Sequence, residues 1–173
     1  MTATRPRNAS QAPKESEPAA SDRAPVDLDI LQGLLSYYVR SLNVCLSRDL
    51  DRCMQELPVA RGTGKISTLL LVSANPGIKP STVAQIIQKD RSAVVRLLDA
   101  FKTAGLLTQR VSPKERRSHE LYLTAAGEAL ATQVRAIASA QDKHFSAVLS
   151  PAELDQLLHL LRRLYDHHVG GAR

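Results

Sequence analysis

The most constraining stretch of the chain is residues 80–124, where the hydrophobic spacing changes from helical to period two within one short segment. Pro80 opens it, and its missing N–H suits a first helical position, where that donor has no intrahelical acceptor. Val83, Ile86 and Ile87 then recur at helical spacing. Asp90 offers a carboxylate to the free backbone N–H groups of a second helix. Val94, Leu97, Leu98 and Phe101 form the apolar stripe of that helix, and Gly105 stands where a left-handed residue would end it. Beyond Gly105, Leu107, Gln109 and Val111 alternate with Leu106, Thr108 and Arg110. Leu121 and Leu123 alternate in the same way with Glu120 and Tyr122, which predicts a hairpin. Its loop holds Lys114, Arg116, Arg117 and His119. A basic loop beside an exposed helix can follow a phosphate backbone or place a guanidinium in a narrow minor groove.

Charge points the same way. The chain has 173 residues, enough for one domain with its own core, and a formal net charge of +6. Residues 89–124 hold eight cations and four anions, a net +4, so most of the excess lies in this one segment. Such a footprint supplies sequence-independent, salt-sensitive affinity for nucleic acid.

Three runs within this region carry a resemblance. Leu98-Asp99-Ala100-Phe101-Lys102-Thr103-Ala104-Gly105-Leu106-Leu107 is followed by an acid–Arg–Arg run at Glu115, Arg116 and Arg117, and then by Leu123-Thr124-Ala125-Ala126-Gly127. Together they resemble the signature of the MarR (multiple antibiotic resistance regulator) family, and residues 28–168 fit that family's layout of helices. The chain departs from the pattern at Glu115, where Asp is usual. It departs again at Gln88, where Gly is common, and at Lys79, where a small hydroxyl residue often caps the first motif helix. The resemblance implies a mainly α fold with a small β-wing, in which a winged helix-turn-helix lobe sits on terminal helices that interlock as a homodimer. It implies a DNA-binding transcription regulator, a repressor released by a small aromatic or phenolic acid, with a pseudopalindromic double-stranded operator as partner and no cofactor. The candidate DNA contacts are Ser81 and Thr82 on the first motif helix, Arg91, Ser92, Ala93 and Arg96 on the second, and Lys114, Arg116 and Arg117 in the wing. Arg96 is expected on the face opposite Leu97 and Leu98. Arg117 matches the family's wing arginine.

Four regions follow. Residues 1–26 carry four prolines and no aromatic, and such a segment cannot bury enough apolar surface to offset its ordering entropy, so a disordered tail is expected. Residues 27–60 hold a first helix over 27–56, with Leu31, Leu34, Leu35, Tyr38, Leu42, Cys45, Leu46 and Leu50 as a wide apolar stripe. Residues 61–124 form the DNA-binding lobe, whose helix over 64–74 is apolar enough to lie in its core. Residues 125–173 hold two helices. Thr124 caps the first, expected to run to about 148. Ser150-Pro151-Ala152-Glu153 is a capping box that opens the second, with Leu154, Leu157, Leu158, Leu161, Leu164 and Tyr165 on one face. The leucine stripes of the first and last helices are too large to stay exposed, and a two-fold dimer would bury them.

Other chemistry is weakly signalled. Cys45 and Cys53 lie eight residues apart on one helix, about 12 Å along its axis, too far for a disulfide within it. Buried apolar packing is the plainer role for both, with a redox-sensing Cys45 as the alternative. Tyr37, Tyr38 and Arg40 are candidates for holding an aromatic acid. No metal-ligand spacing, phosphate loop or nucleophile motif is present, so neither a metal site nor an enzyme is expected. No run approaches the roughly 20 apolar residues of a membrane span, and a cytoplasmic location is expected. Two other classes stay open: a cysteine-based redox regulator, and a winged-helix interaction module that does not bind DNA.

Overall fold

The computed structural model describes residues 26–113 and 118–170. A 3-10 turn at Asp29–Gly33 precedes α1 (Leu35–Cys53), α2 (Thr63–Ala74), α3 (Pro80–Ile87) and α4 (Arg91–Thr103). The hairpin strands β1 (Leu107–Val111) and β2 (His119–Leu123) follow, then α5 (Ala125–Phe145) and α6 (Pro151–His168). The fold is mainly α with a small antiparallel wing, as expected.

The core of the lobe forms where the apolar stripes meet. Leu69 and Val72 of α2, Val83 of α3, and Val94, Leu98 and Phe101 of α4 are all buried. Leu107 and Leu121 close it from the hairpin, and Leu130, Ala131 and Val134 from α5. Met54 and Val59, between α1 and α2, are fully enclosed as well. Full burial of each such side chain contributes about 1.5–3 kcal/mol.

Local chemistry sets the element ends. The Asp90 side chain accepts the Ala93 N–H at 2.7 Å and starts α4. The chain leaves α4 through Gly105, whose φ of +68° is left-handed. Gln88, between α3 and α4, also takes a left-handed φ of +53°, which a residue with a Cβ adopts at a cost. Thr124 Oγ1 accepts the Gly127 N–H at 3.1 Å and donates to the Gly105 carbonyl at 2.7 Å. A Cβ on Gly127 would lie 2.1 Å from the Leu106 carbonyl oxygen, so only glycine fits where α5 meets the lobe. The Leu-Thr-Ala-Ala-Gly run is therefore a joint between the wing and α5. In the hairpin, Leu107 pairs with Leu123 and Gln109 with Leu121, which puts the buried leucines on one face.

Two expectations about helix length are corrected. The first helix is not continuous over 27–56: Leu34 is extended, with φ −96° and ψ 120°, and it separates the 3-10 turn from α1. Gly33, a weak helix former, was the available signal for this break. The helix after the wing stops at Phe145 rather than near 148, in a turn where the Leu149 N–H donates to the Ser146 carbonyl.

The terminal helices differ from the lobe. Neither α1 nor α6 contains a buried residue. The second half of α1 holds the half-buried Leu46 and Leu50. It packs on α5, where Gln141 Nε2 donates to Asp49 Oδ2 at 3.0 Å. That bond is the main cause of Asp49's lowered pKa, with Arg52 second. The capping box of α6 is complete: Ser150 Oγ accepts the Glu153 N–H at 3.4 Å, and Glu153 Oε2 accepts the Ser150 N–H at 2.8 Å. Hydrogen bonds from Ser150, its hydroxyl first and its N–H second, hold the Glu153 carboxyl below its ordinary pKa. Yet Leu157, Leu161 and Leu164 remain 43%, 40% and 42% exposed.

Candidate nucleic-acid interface

The outer face of α4 is built outward from its cap. Asp90 Oδ1 accepts both the Ala93 N–H and, at 2.6 Å, the Ser92 hydroxyl. The Ser92 hydroxyl bond is the largest cause of Asp90's lowered pKa, and the Ala93 bond the next. Depression below the ordinary value means the cap is charged at neutral pH and is lost only as pH falls through the lowered value. Arg96 Nη1 donates to Ser92 Oγ at 3.3 Å, so one hydrogen-bonded chain runs from the cap to the guanidinium. Arg91, Ser92 and Arg96 are all exposed, while Ala93 is half-buried beneath them. Ser81 and Thr82 are exposed on the first turn of α3. Ser81 and Arg91 line one surface cleft of about 410 Å³ with Gln109 and His119, so the structure brings α3, α4 and the hairpin to a common front.

Arg96 is exposed where Leu98 is buried, and it borders a second cleft that Leu97 also lines. Adjacent helix positions differ by about 100°, so two neighbours can border one groove.

The wing candidates Lys114, Arg116 and Arg117 lie outside the described residues. The root of the wing is described, and sequence reasoning missed its organiser, Glu120. Its Oε1 accepts the Ser112 hydroxyl at 2.6 Å, and its Oε2 accepts the Tyr122 hydroxyl at 2.8 Å. The Ser112 N–H donates to the Ser118 carbonyl at 2.8 Å and closes the loop at its base. The hydrogen bond to Glu120, with burial second, raises the Tyr122 pKa. Arg110 lies over the Tyr122 ring, 4.8 Å from its centroid. The signal available in the sequence was the cross-strand position of Glu120 opposite Arg110.

The remaining candidates sit on α1. The Tyr37 and Tyr38 rings meet edge to face at 5.3 Å, and the Tyr38 hydroxyl donates to the Gln32 carbonyl at 3.0 Å. Arg40 is exposed. Both cysteines are free and exposed, which corrects the buried apolar role expected for them. Cys45 borders a cleft with Arg48, Arg52 and His144. Among the described residues no group of three or more His, Cys, Asp or Glu side chains could hold a metal ion. Nor is any described helix long and apolar enough to cross a membrane.

A two-helix motif with an exposed, cation-bearing second helix and an adjacent hairpin defines a winged helix-turn-helix protein. Residues 62–118 match the MarR family. The chain is 30% identical over 151 residues to a protein assigned as transcriptional regulator for the hcr operon of Thauera aromatica, covering 86% of this chain and 89% of that one. It therefore belongs to the MarR family of DNA-binding transcriptional regulators. Its structure is similar to that of the transcriptional repressor CouR bound to a 23-mer DNA duplex, with a TM-score of 0.74, 28% identity, and coverage of 82% of this chain and 99% of that one. CouR bound to p-coumaroyl-CoA is also similar, with a TM-score of 0.70, 26% identity, and coverage of 81% and 97%.

Proposed function

We propose that the protein is a homodimeric repressor that binds a pseudopalindromic operator and releases it when a small aromatic acid, free or as its coenzyme A thioester, binds. The observation that carries this reading is the exposed Ser92–Arg96 face of α4, in a chain similar to a repressor bound to duplex DNA. The exposed leucines of α6 support the dimer, which would present two such faces to two half-sites. The effector class draws on the similarity to CouR bound to p-coumaroyl-CoA. The Tyr37–Tyr38 pair offers aromatic faces, and Arg40 offers a cation for a carboxylate or phosphate. Wing contacts by Lys114, Arg116 and Arg117 complete the DNA reading, with Arg117 in the minor groove. This role places the protein in the cytoplasm with the chromosome.

The test is retention of the DNA upstream of the gene, titrated with p-coumaroyl-CoA and, separately, p-coumarate. Release by either supports the effector class, and Tyr37→Ala is expected to blunt release while leaving DNA binding intact. Retention undiminished by both compounds removes the aromatic effector. A second reading, control by oxidation, is favoured by the exposure of Cys45 beside two arginines. Peroxide-induced release that is abolished by Cys45→Ser would select it.

A further inference from the structure

Helix α4 is flanked by basic clefts on both sides, and only one of them faces the wing. The wing-side cleft carries Lys79, Arg91 and His119. On the other flank, a cleft of about 350 Å³ lies between α4, the start of α2 and the turn before α4. Leu97 and Phe101 contribute to its apolar floor, and its cations are Lys65, Lys89 and Arg96, with no acidic residue among the described lining. Lys65 Nζ donates to the Ala60 carbonyl at 3.3 Å and the Pro58 carbonyl at 3.5 Å, in the chain leading into α2. Lys89 and Arg96, the other two cations, are both exposed.

Gly64 leaves the space in which the Lys89 stem lies. It is buried in the first turn of α2, and its φ is not left-handed, so backbone freedom does not account for a glycine there. Space does. A Cβ on Gly64 would stand 2.6 Å from Lys89 Cε and 3.4 Å from Lys89 Cδ, because the lysine stem lies directly across it. A glycine in a helix is otherwise unfavourable relative to alanine.

The B-DNA major groove is about 12 Å wide and is walled by one phosphate strand on each side, so a helix seated in it meets phosphates on both flanks. We propose that Lys89, laid across Gly64, acts with Arg96 as the phosphate contact on the flank away from the wing, and that the space left by Gly64 lets the Lys89 stem lie there. The inference rests on the DNA-binding reading above and extends it to Lys89, in the turn between α3 and α4, and to Gly64 of α2.

Binding of the full chain to a mixed-sequence duplex over a salt series tests it, because phosphate contacts do not depend on sequence. Removing one phosphate contact lowers the slope of log affinity against log salt by about 0.9, so Lys89→Gln is expected to lower it by about two for a dimer. Gly64→Ala is expected to keep or raise the melting temperature while weakening binding in the same salt-dependent way. In the Lys89→Gln background it should cost nothing further, since the side chain it displaces no longer carries a charge. An unchanged slope for Lys89→Gln overturns the proposal, as does an undiminished effect of Gly64→Ala in that background. If the wild type itself shows no salt-dependent duplex binding, the DNA-binding reading fails and this phosphate site with it. If the wild type binds and only Lys89 proves silent, the DNA reading stands and the second flank alone is refuted.

Discussion

The lobe from α2 to the first half of α5 and the two terminal helices are built from similar apolar stripes, yet they end in opposite states. In the lobe, Leu69, Val83, Val94, Leu121 and Val134 are at most 2% exposed. In α6, whose N-terminus has the most complete cap of the described helices, Leu157, Leu158, Leu161 and Leu164 are each about 40% exposed. Helix formation and burial are therefore separate problems here. Capping fixes where α6 starts, but no described part of the chain covers its apolar face. The lobe answers both questions within one chain, while the terminal helices wait for a second surface, which the proposed dimer supplies.

The largest expected effect breaks this contrast from the terminal side. Leu161→Glu would leave an unpaired carboxylate in the proposed interface, at about 3–5 kcal/mol. Sedimentation should show monomer or unfolded chain, and a folded dimer of unchanged stability would place the interface elsewhere. The matching change in the lobe is Leu69→Ala, expected to cost about 2–5 kcal/mol through the cavity it leaves. Denaturant unfolding checks it, and a loss below about 1 kcal/mol would mean the lobe core relaxes far more than its burial implies. A smaller effect sharpens the role of the cap. Ser150→Ala removes the side-chain acceptor at the start of α6 and should cost about 1 kcal/mol. That loss should appear in dimer dissociation measured by dilution, and an effect on the unfolding of the lobe alone would mean α6 is not confined to the interface. The smallest change has the opposite sign. Gln88→Gly relieves the left-handed backbone between α3 and α4 and should raise stability by roughly 0.5–1 kcal/mol in thermal melts. A drop in stability would show that the Gln88 side chain matters more than its backbone.

Much of this fold was legible in the residues, for reasons that vary by element. Pro80, Asp90, Thr124 and Ser150 carry their own start signals, and all four helices begin within one residue of them. The hairpin was legible because one face must be buried, which fixes its register. The break at Leu34 was harder to see, since a wide stripe continues through it and only Gly33 marks it. In the site, the exposed face of α4 followed from where its stripe was not. The contributions of Glu120, Lys89 and Gly64 did not follow, because each depends on how side chains converge in space rather than on side-chain type. Glu120 reads as one more surface acid until Ser112 and Tyr122 are seen to converge on it. Gly64 reads as a poor helix residue until the Lys89 stem is found against it.

In the proposed dimer α6 is buried only by association, whereas the lobe is closed within one chain. Hydrogen exchange across a dilution series tests it most directly, because protection reports local burial and opening. The expected result is that amides of α6 between Leu157 and Tyr165 lose protection as the protein is diluted through dimer dissociation, while those of α2 and α4 keep theirs. Protection of α6 that does not change with concentration, in a chain shown by sedimentation to be monomeric, would rule out burial of α6 by a partner.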